Sequence, residues 1–175
     1  MGDLTSVALR ARTEDDFDTL FRLAADLGTW EERNPGPPSP LTREAYAARL
    51  ARSAEEQADA AAFVVDVDGA PVGTATLFGF DMYARHAEAG ITLAAEARGR
   101  GIGTEAIRQL VVFGFERRNL RRIHLQAIAS NTAALRAYEK AGFVVEGRLR
   151  EHAWVRGGYE DIVLMGILRS DRPTG

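Results

Sequence analysis

Arg98-Gly99-Arg100-Gly101-Ile102-Gly103-Thr104 lies between a stretch of strand character, Glu88 to Leu93, and an apolar helical pattern that begins at Ile102. Ile102, Ala106, Leu110 and Gly114 share one face of that pattern, with Ile107 and Val111 beside them. Glycines at such a junction let the backbone approach a ligand closely and turn its N–H groups inward. The helix that follows adds unpaired N–H donors and the positive end of its dipole, a seat for phosphate oxygens. Arg98 and Arg100 add charge. Taken alone, the loop is as readily a flexible turn. It is not a dinucleotide fingerprint, which needs GxGxxG after the first strand of a βαβ unit. Here the spacing is GxGxG and more than half of the chain precedes it. No Gly-Lys-Ser/Thr closes it, so it is not a P-loop either.

Further on stands Ser130-Asn131-Thr132-Ala133-Ala134-Leu135-Arg136-Ala137-Tyr138-Glu139-Lys140-Ala141-Gly142-Phe143. On a helix, the seven-residue interval from Asn131 to Tyr138 is two turns, so both polar tips lie along one face and can reach one elongated ligand. By themselves they read as a helix cap and a rim residue.

The remaining elements follow from local pattern. Val7 to Arg12 alternates as a first strand. Thr13 is placed to cap a helix with Glu14, Asp15 and Asp16 in its first turn and Phe17, Leu20, Phe21 and Ala24 as its stripe. The proline-rich stretch Asn34 to Pro40 reads as a stiff loop, and Thr42 to Glu56 as a second helix with Tyr46 and Leu50 on one face. Ala62–Val67 and Ala70–Phe80 flank Asp68-Gly69, a hairpin signal. Ile123 to Ile128 is a strand on which His124 alternates with apolar neighbours, so it reads as structural. Thr132–Ala141 is a short helix ended by Gly142. Phe143–His152 and Asp161–Leu168 form a final strand pair that turns at Gly157-Gly158. The order β-α-α-β-β-β-α-β-α-β-β implies a mixed α/β sheet with helices on both faces, in one domain spanning 1–175.

Bulk properties narrow the function. The 175 residues are 46% hydrophobic and 27% charged, an ordinary globular balance. No cysteine is present and only three histidines, His86, His124 and His152, so disulfides, thiolate chemistry and a metal site are not expected. A net charge of −3 offers no excess cation for nucleic acid. No run approaches the ~20 apolar residues of a membrane span, and the N-terminus lacks the basic start of a signal peptide. The expectation is a cytoplasmic protein without nucleic-acid or membrane partners.

Together, the Arg-x-x-Gly-x-Gly turn and the Asn-x6-Tyr-x3-Gly-Phe segment resemble the GCN5-related N-acetyltransferase (GNAT) family. Val145-Glu-Gly-Arg-Leu-Arg-Glu-His152 and Gly157-Gly-Tyr-Glu-Asp161 resemble its branch of ribosomal-protein N-terminal and spermidine N-acetyltransferases. The resemblance implies a mostly antiparallel sheet splayed between two parallel central strands, with acetyl-CoA in the opening. It implies that Ile91, Thr92 and Leu93 hold the pantetheine arm and thioester. The pyrophosphate would lie on Arg98, Gly99, Arg100, Gly101, Ile102, Gly103 and Thr104, with Asn131 nearer the pantetheine. Tyr138 would serve the departing thiolate.

The same resemblance implies direct attack by a primary amine, from a small molecule or a protein N-terminus, in a ternary complex. Only the neutral amine attacks, and at pH 7 that is about 0.04% of a lysine-type amine and about 10–15% of an α-amine. A base is therefore useful. Glu32 is the residue named for it, with Trp30, Glu31 and Tyr159 at the acceptor, although taken by themselves Glu31 and Glu32 read as solvated loop charges. His152 could also face the acceptor, and Glu151 and Asp161 read as sheet-edge or ion-pair charges. A homodimer is expected. The alternative is a regulator of this fold that binds acyl-CoA without turnover.

Overall fold

The structure, a computed structural model, describes residues 6–33, 37–55 and 60–172. Its frame is one seven-stranded sheet in the order β1-β2-β3-β4-β5-β7-β6. The strands are β1 (Val7–Arg10), β2 (Ala60–Val67), β3 (Ala70–Asp81), β4 (His86–Leu93), β5 (Arg122–Ile128), β6 (Val144–Val155) and β7 (Gly158–Leu168). The helices are α1 (Phe17–Ala25), α2 (Leu27–Arg33), α3 (Arg43–Glu55), α4 (Ile102–Arg117) and α5 (Thr132–Lys140).

All strand pairs are antiparallel except β4 with β5. That parallel pair is hydrogen-bonded only where His86, Ala87 and Glu88 face Arg122, Ile123 and His124. Beyond it the two strands part. The expected fold class, a mixed sheet splayed between two parallel strands with helices on both faces, is what the chain adopts.

Helix α4 buries its apolar face on one side of the sheet, where Ile107, Leu110 and Phe115 meet Leu77, Ile123, Leu125 and Met165. Contact is close enough that a Cβ at Gly114 would come within 2.7 Å of Ile123 Cδ1. On the other side Leu20 of α1 and Tyr46 of α3 cover Val64, with Phe17 and Phe21 packed around Tyr46. Thr42 caps α3 by accepting from the Ala45 N–H at 3.1 Å. Asp68 (φ 52°) and Gly69 (φ 86°) form the expected β2–β3 turn.

Two readings change. The stretch holding Trp30, Glu31 and Glu32 is helix α2, not loop, because Asp26 accepts from the Thr29 N–H at 2.7 Å and starts a turn there. The last hairpin is longer than expected and turns at Arg156-Gly157, with Val155 paired to Gly158. Of the proline-rich stretch, 34–36 lie outside the described residues and Pro37–Pro40 is exposed coil. No helix among the described residues is long and apolar enough to cross a membrane.

Candidate active site

Where β4 and β5 part, a cleft of about 380 Å³ opens. Ala89 to Leu93 form one wall and Gln126 and Ala127 the other. In an extended strand alternate peptide groups point to each side. The β5-facing groups of Ala89–Leu93 have therefore lost their ladder partner and are placed to bond a ligand lying in the gap. Ile91, Thr92 and Leu93, named from the sequence, all line this wall.

At one end of the cleft stands the glycine turn. Gly99 (φ 73°) and Gly101 (φ 81°) take left-handed conformations, and Gly101 caps α4 without any side-chain acceptor. The first N–H groups of a sixteen-residue helix are thus left for an outside acceptor. Gly99, Gly101, Gly103 and Thr104 line the cleft, whereas the Ile102 side chain is buried in the core. Arg100 is exposed on the turn and does not line the cleft.

Arg98 lines the cleft, but its guanidinium is turned away from the turn. Its Nε donates to Leu93 O at 3.0 Å, Nη1 to Glu32 Oε2 at 2.5 Å and Nη2 to Thr29 Oγ1 at 3.0 Å. It clamps α2 to the end of β4. The cations placed along the cleft are Arg136 and Lys140, one turn apart on α5. Sequence reading did not single them out, although Ala133, Arg136, Ala137 and Lys140 have the spacing of one helix face.

Asn131 acts as a helix cap and a bridge together. Its Oδ1 accepts from the Ala134 N–H at 3.1 Å and its Nδ2 donates to Glu32 O at 3.3 Å. Tyr138 is buried within the cleft wall, and burial pushes its phenol up to about 12.

Of the acceptor candidates, Glu32 lines the cleft, but its second oxygen, Oε1, accepts from Arg156 Nη2 at 2.9 Å. Both oxygens of this carboxylate are thus occupied by guanidinium donors. Glu31 pairs with Arg156 Nε at 3.5 Å. Trp30 adjoins these acids on α2 but is not in the cleft lining. Tyr159 stands 68% exposed on β7 against Trp154, with ring centroids 4.9 Å apart, outside the cleft lining. Glu151 and His152 are exposed in a bulge of β6 that Asp161 pins by accepting from the Glu151 N–H and from Arg148.

One group of side chains was missed. Glu88, the last residue of β4 paired to β5, is half-buried beside His124 Nε2 at 3.9 Å, with Gln126 of the cleft wall favouring its ionised form. Burial raises its carboxyl above the usual range, and Gln126 only partly offsets that. His124 is lowered by burial first, then by His86 and Arg122. The Nδ1 atoms of His86 and His124 are buried with no hydrogen-bond partner among the described residues. The strand pattern Glu88-x-Gly90 against His124-x-Gln126 held the signal, but only the parallel register brings the two together.

The comparisons with known proteins agree with this geometry. A family model described as "Acetyltransferase (GNAT) domain" matches residues 6–144. The chain belongs to that family, the GNAT acetyltransferases. It is 34% identical over 104 residues to the "Putative ribosomal N-acetyltransferase YdaF" of Bacillus subtilis, covering 59% of this chain and 57% of that protein. It is 33% identical over 107 residues to the "Spermidine N(1)-acetyltransferase" of Escherichia coli, covering 61% and 58%. The chain therefore spans rather more than half the length of these curated relatives. Among solved structures, spermidine N-acetyltransferase from Vibrio cholerae in complex with CoA and spermine superposes with a TM-score of 0.86 at 26% identity. That match covers 94% of this chain and 96% of the other.

Proposed function

We propose that the protein is an N-acetyltransferase that moves acetyl from acetyl-CoA directly to a primary amine in a ternary complex. The observation that carries this is the cleft itself. It joins an uncapped helix N-terminus at one end to a buried tyrosine hydroxyl in its wall, across a strand with unpaired peptide groups. An elongated anionic thioester fits that donor set. The turn from Gly99 to Thr104, with Arg136 and Lys140, would receive phosphate oxygens, and the peptides of Ile91–Leu93 would receive the amide-bearing arm.

When bound, acetyl-CoA supplies an acyl carbon activated as a thioester. Peptide N–H groups of the Ile91–Leu93 wall are placed to stabilise an oxyanion. Tyr138 would donate a hydrogen bond from its hydroxyl to the leaving sulfur. Glu88, behind Gln126 of the cleft wall, is the proton acceptor assigned here, since burial raises its carboxyl and no arginine is paired with it among the described contacts, whereas both oxygens of Glu32 are held by arginines. Asn131 and Arg98 keep α2 seated over the opening. The absence of cysteine, consistent with a reducing compartment, supports a cytoplasmic location. The exposed Val144 and Val145 on the edge strand β6 support a homodimer.

Calorimetric titration with acetyl-CoA, followed by assay of free-thiol release across amines and N-terminal peptides, tests the proposal. Micromolar binding with amine-dependent thiol release is expected. Binding without release across the panel would favour the regulator, and no binding by folded protein would overturn the reading.

A further inference from the structure

We propose that Arg156 selects the acceptor. By occupying the carboxylates of Glu31 and Glu32 at the cleft mouth, it turns away polyamines and favours an amine whose reactive nitrogen is its only positive charge. This inference rests on the acetyltransferase reading above.

A polyamine carries two or more ammonium groups beyond the one that reacts, and each needs an acceptor of opposite charge as it leaves water. Among the described residues lining the cleft, Glu32 is the only carboxylate, against Arg98, Arg136 and Lys140. That carboxylate is already bonded on both oxygens, by Arg98 at 2.5 Å and by Arg156 at 2.9 Å. Glu31, next to it, is paired with Arg156 at 3.5 Å. The two acids and the two arginines sum to zero charge. Among the described residues, two further acids flank the elements of the mouth, and both face backbone donors: Asp26 accepts from the Thr29 N–H at 2.7 Å and Glu160 from the Ser130 N–H at 3.2 Å. A distal ammonium entering here would have to displace a guanidinium from a charge-assisted pair.

The position of Arg156 points the same way. It sits at the tip of the β6–β7 hairpin in a left-handed conformation (φ 48°), followed by Gly157 (φ 84°). Turn chemistry alone would choose Asn, Asp or Gly there. Arginine is disfavoured by the backbone, and its head group reaches across 124 positions of sequence to α2. A head group so placed is a means of setting charge at the mouth.

The test compares kcat/KM, from thiol release, for spermidine and for a short peptide with a free N-terminus and uncharged side chains. Wild-type protein is expected to favour the peptide by about tenfold or more. Arg156→Gln, which keeps the length of the side chain, and Arg156→Gly, which suits the turn, should each narrow that ratio about fivefold. The narrowing should come from a gain for spermidine that fades as salt is raised. Preference of the wild type for spermidine, or a ratio unmoved in both variants, overturns the inference. If no amine is acetylated, it is the acetyltransferase reading that fails. The charge inference is then read by titrating spermidine into the protein with and without CoA. Tighter binding to both variants than to wild type supports it, and equal affinity overturns it.

Discussion

Tyr138 and Glu88 are the two side chains whose acidity the fold moves in directions useful to acyl transfer. With its phenol pushed up to about 12, Tyr138 stays protonated across the working range. Complete proton transfer to a thiolate of ordinary pKa ~8.5 would be uphill by roughly 5 kcal/mol, so in the proposed mechanism the hydroxyl would stabilise the leaving sulfur by donating a hydrogen bond. Tyr138→Phe should lower kcat by about 100-fold while leaving acetyl-CoA affinity within about twofold, as kinetics and calorimetry on one sample would show. Because the protonated form is the active one, kcat should hold on the alkaline side until pH nears the raised phenol value. In the proposed mechanism Glu88 would act in its ionised form, and its pKa is raised by burial. The acid limb of kcat/KM should therefore lie above the range of an ordinary glutamate, and Glu88→Gln should remove that limb without loss of acetyl-CoA binding. A limb at the ordinary position, or one that survives in the variant, would count against Glu88.

The start of α4, the proposed seat of the cofactor phosphates, carries a backbone cost. Gly101 holds φ at 81°, where a residue with a Cβ loses about 1 kcal/mol, yet the space a Cβ would fill there is open, with no neighbouring atom within 4 Å. Gly101→Ala should therefore act through the backbone alone. A melting temperature lower by about 2–4 °C is expected. Acetyl-CoA should bind about tenfold more weakly, because the N–H groups of the turn would no longer converge. A thermal melt and a titration read the two effects separately. Helix α2 is the opposite case. Leu27-Gly28-Thr29-Trp30-Glu31-Glu32-Arg33 has no apolar stripe, and its reading as loop was reasonable on local grounds. Contacts from Arg98 and Asn131, far along the chain, seat it over the cleft.

Across the whole molecule, the ion pairs of Arg10 tie the first strand to the chain that leaves it. Its guanidinium bonds Asp16 through Nη1 at 2.7 Å and Nη2 at 2.8 Å, and Asp66 through Nε at 2.7 Å. Asp16 is buried and also accepts from the Thr13 N–H and hydroxyl, so its carboxyl is held well below the usual range, Arg10 being the largest cause. A depressed carboxylate stabilises the fold above its unfolded pKa, and that contribution is lost as pH falls through the folded value. Arg10→Ala leaves the buried charge without its partner, and since Arg10 is one-third exposed the loss should be about 2–3 kcal/mol at pH 7. Urea unfolding at pH 7 and pH 3 should show that penalty shrinking as the unfolded-state carboxyl protonates below about pH 4. A penalty independent of pH would place the effect in packing instead.

The features legible in the chain alone were local ones. The Asp68-Gly69 turn, the glycine turn before α4, the Asn131-to-Tyr138 helix face and the apolar stripes of α1, α3 and α4 could be read because backbone preference and side-chain period act within a few residues. Those motifs were also enough to place the chain in its family. Which groups meet was settled by the folded arrangement. It put Glu88 beside His124 through three parallel pairs and turned the Arg98 head group away from the turn toward Glu32. It also brought Arg156 of the last hairpin to the acids of α2. Such partners are set by where the chain returns, and a charge in a sequence carries no record of the charge it will face.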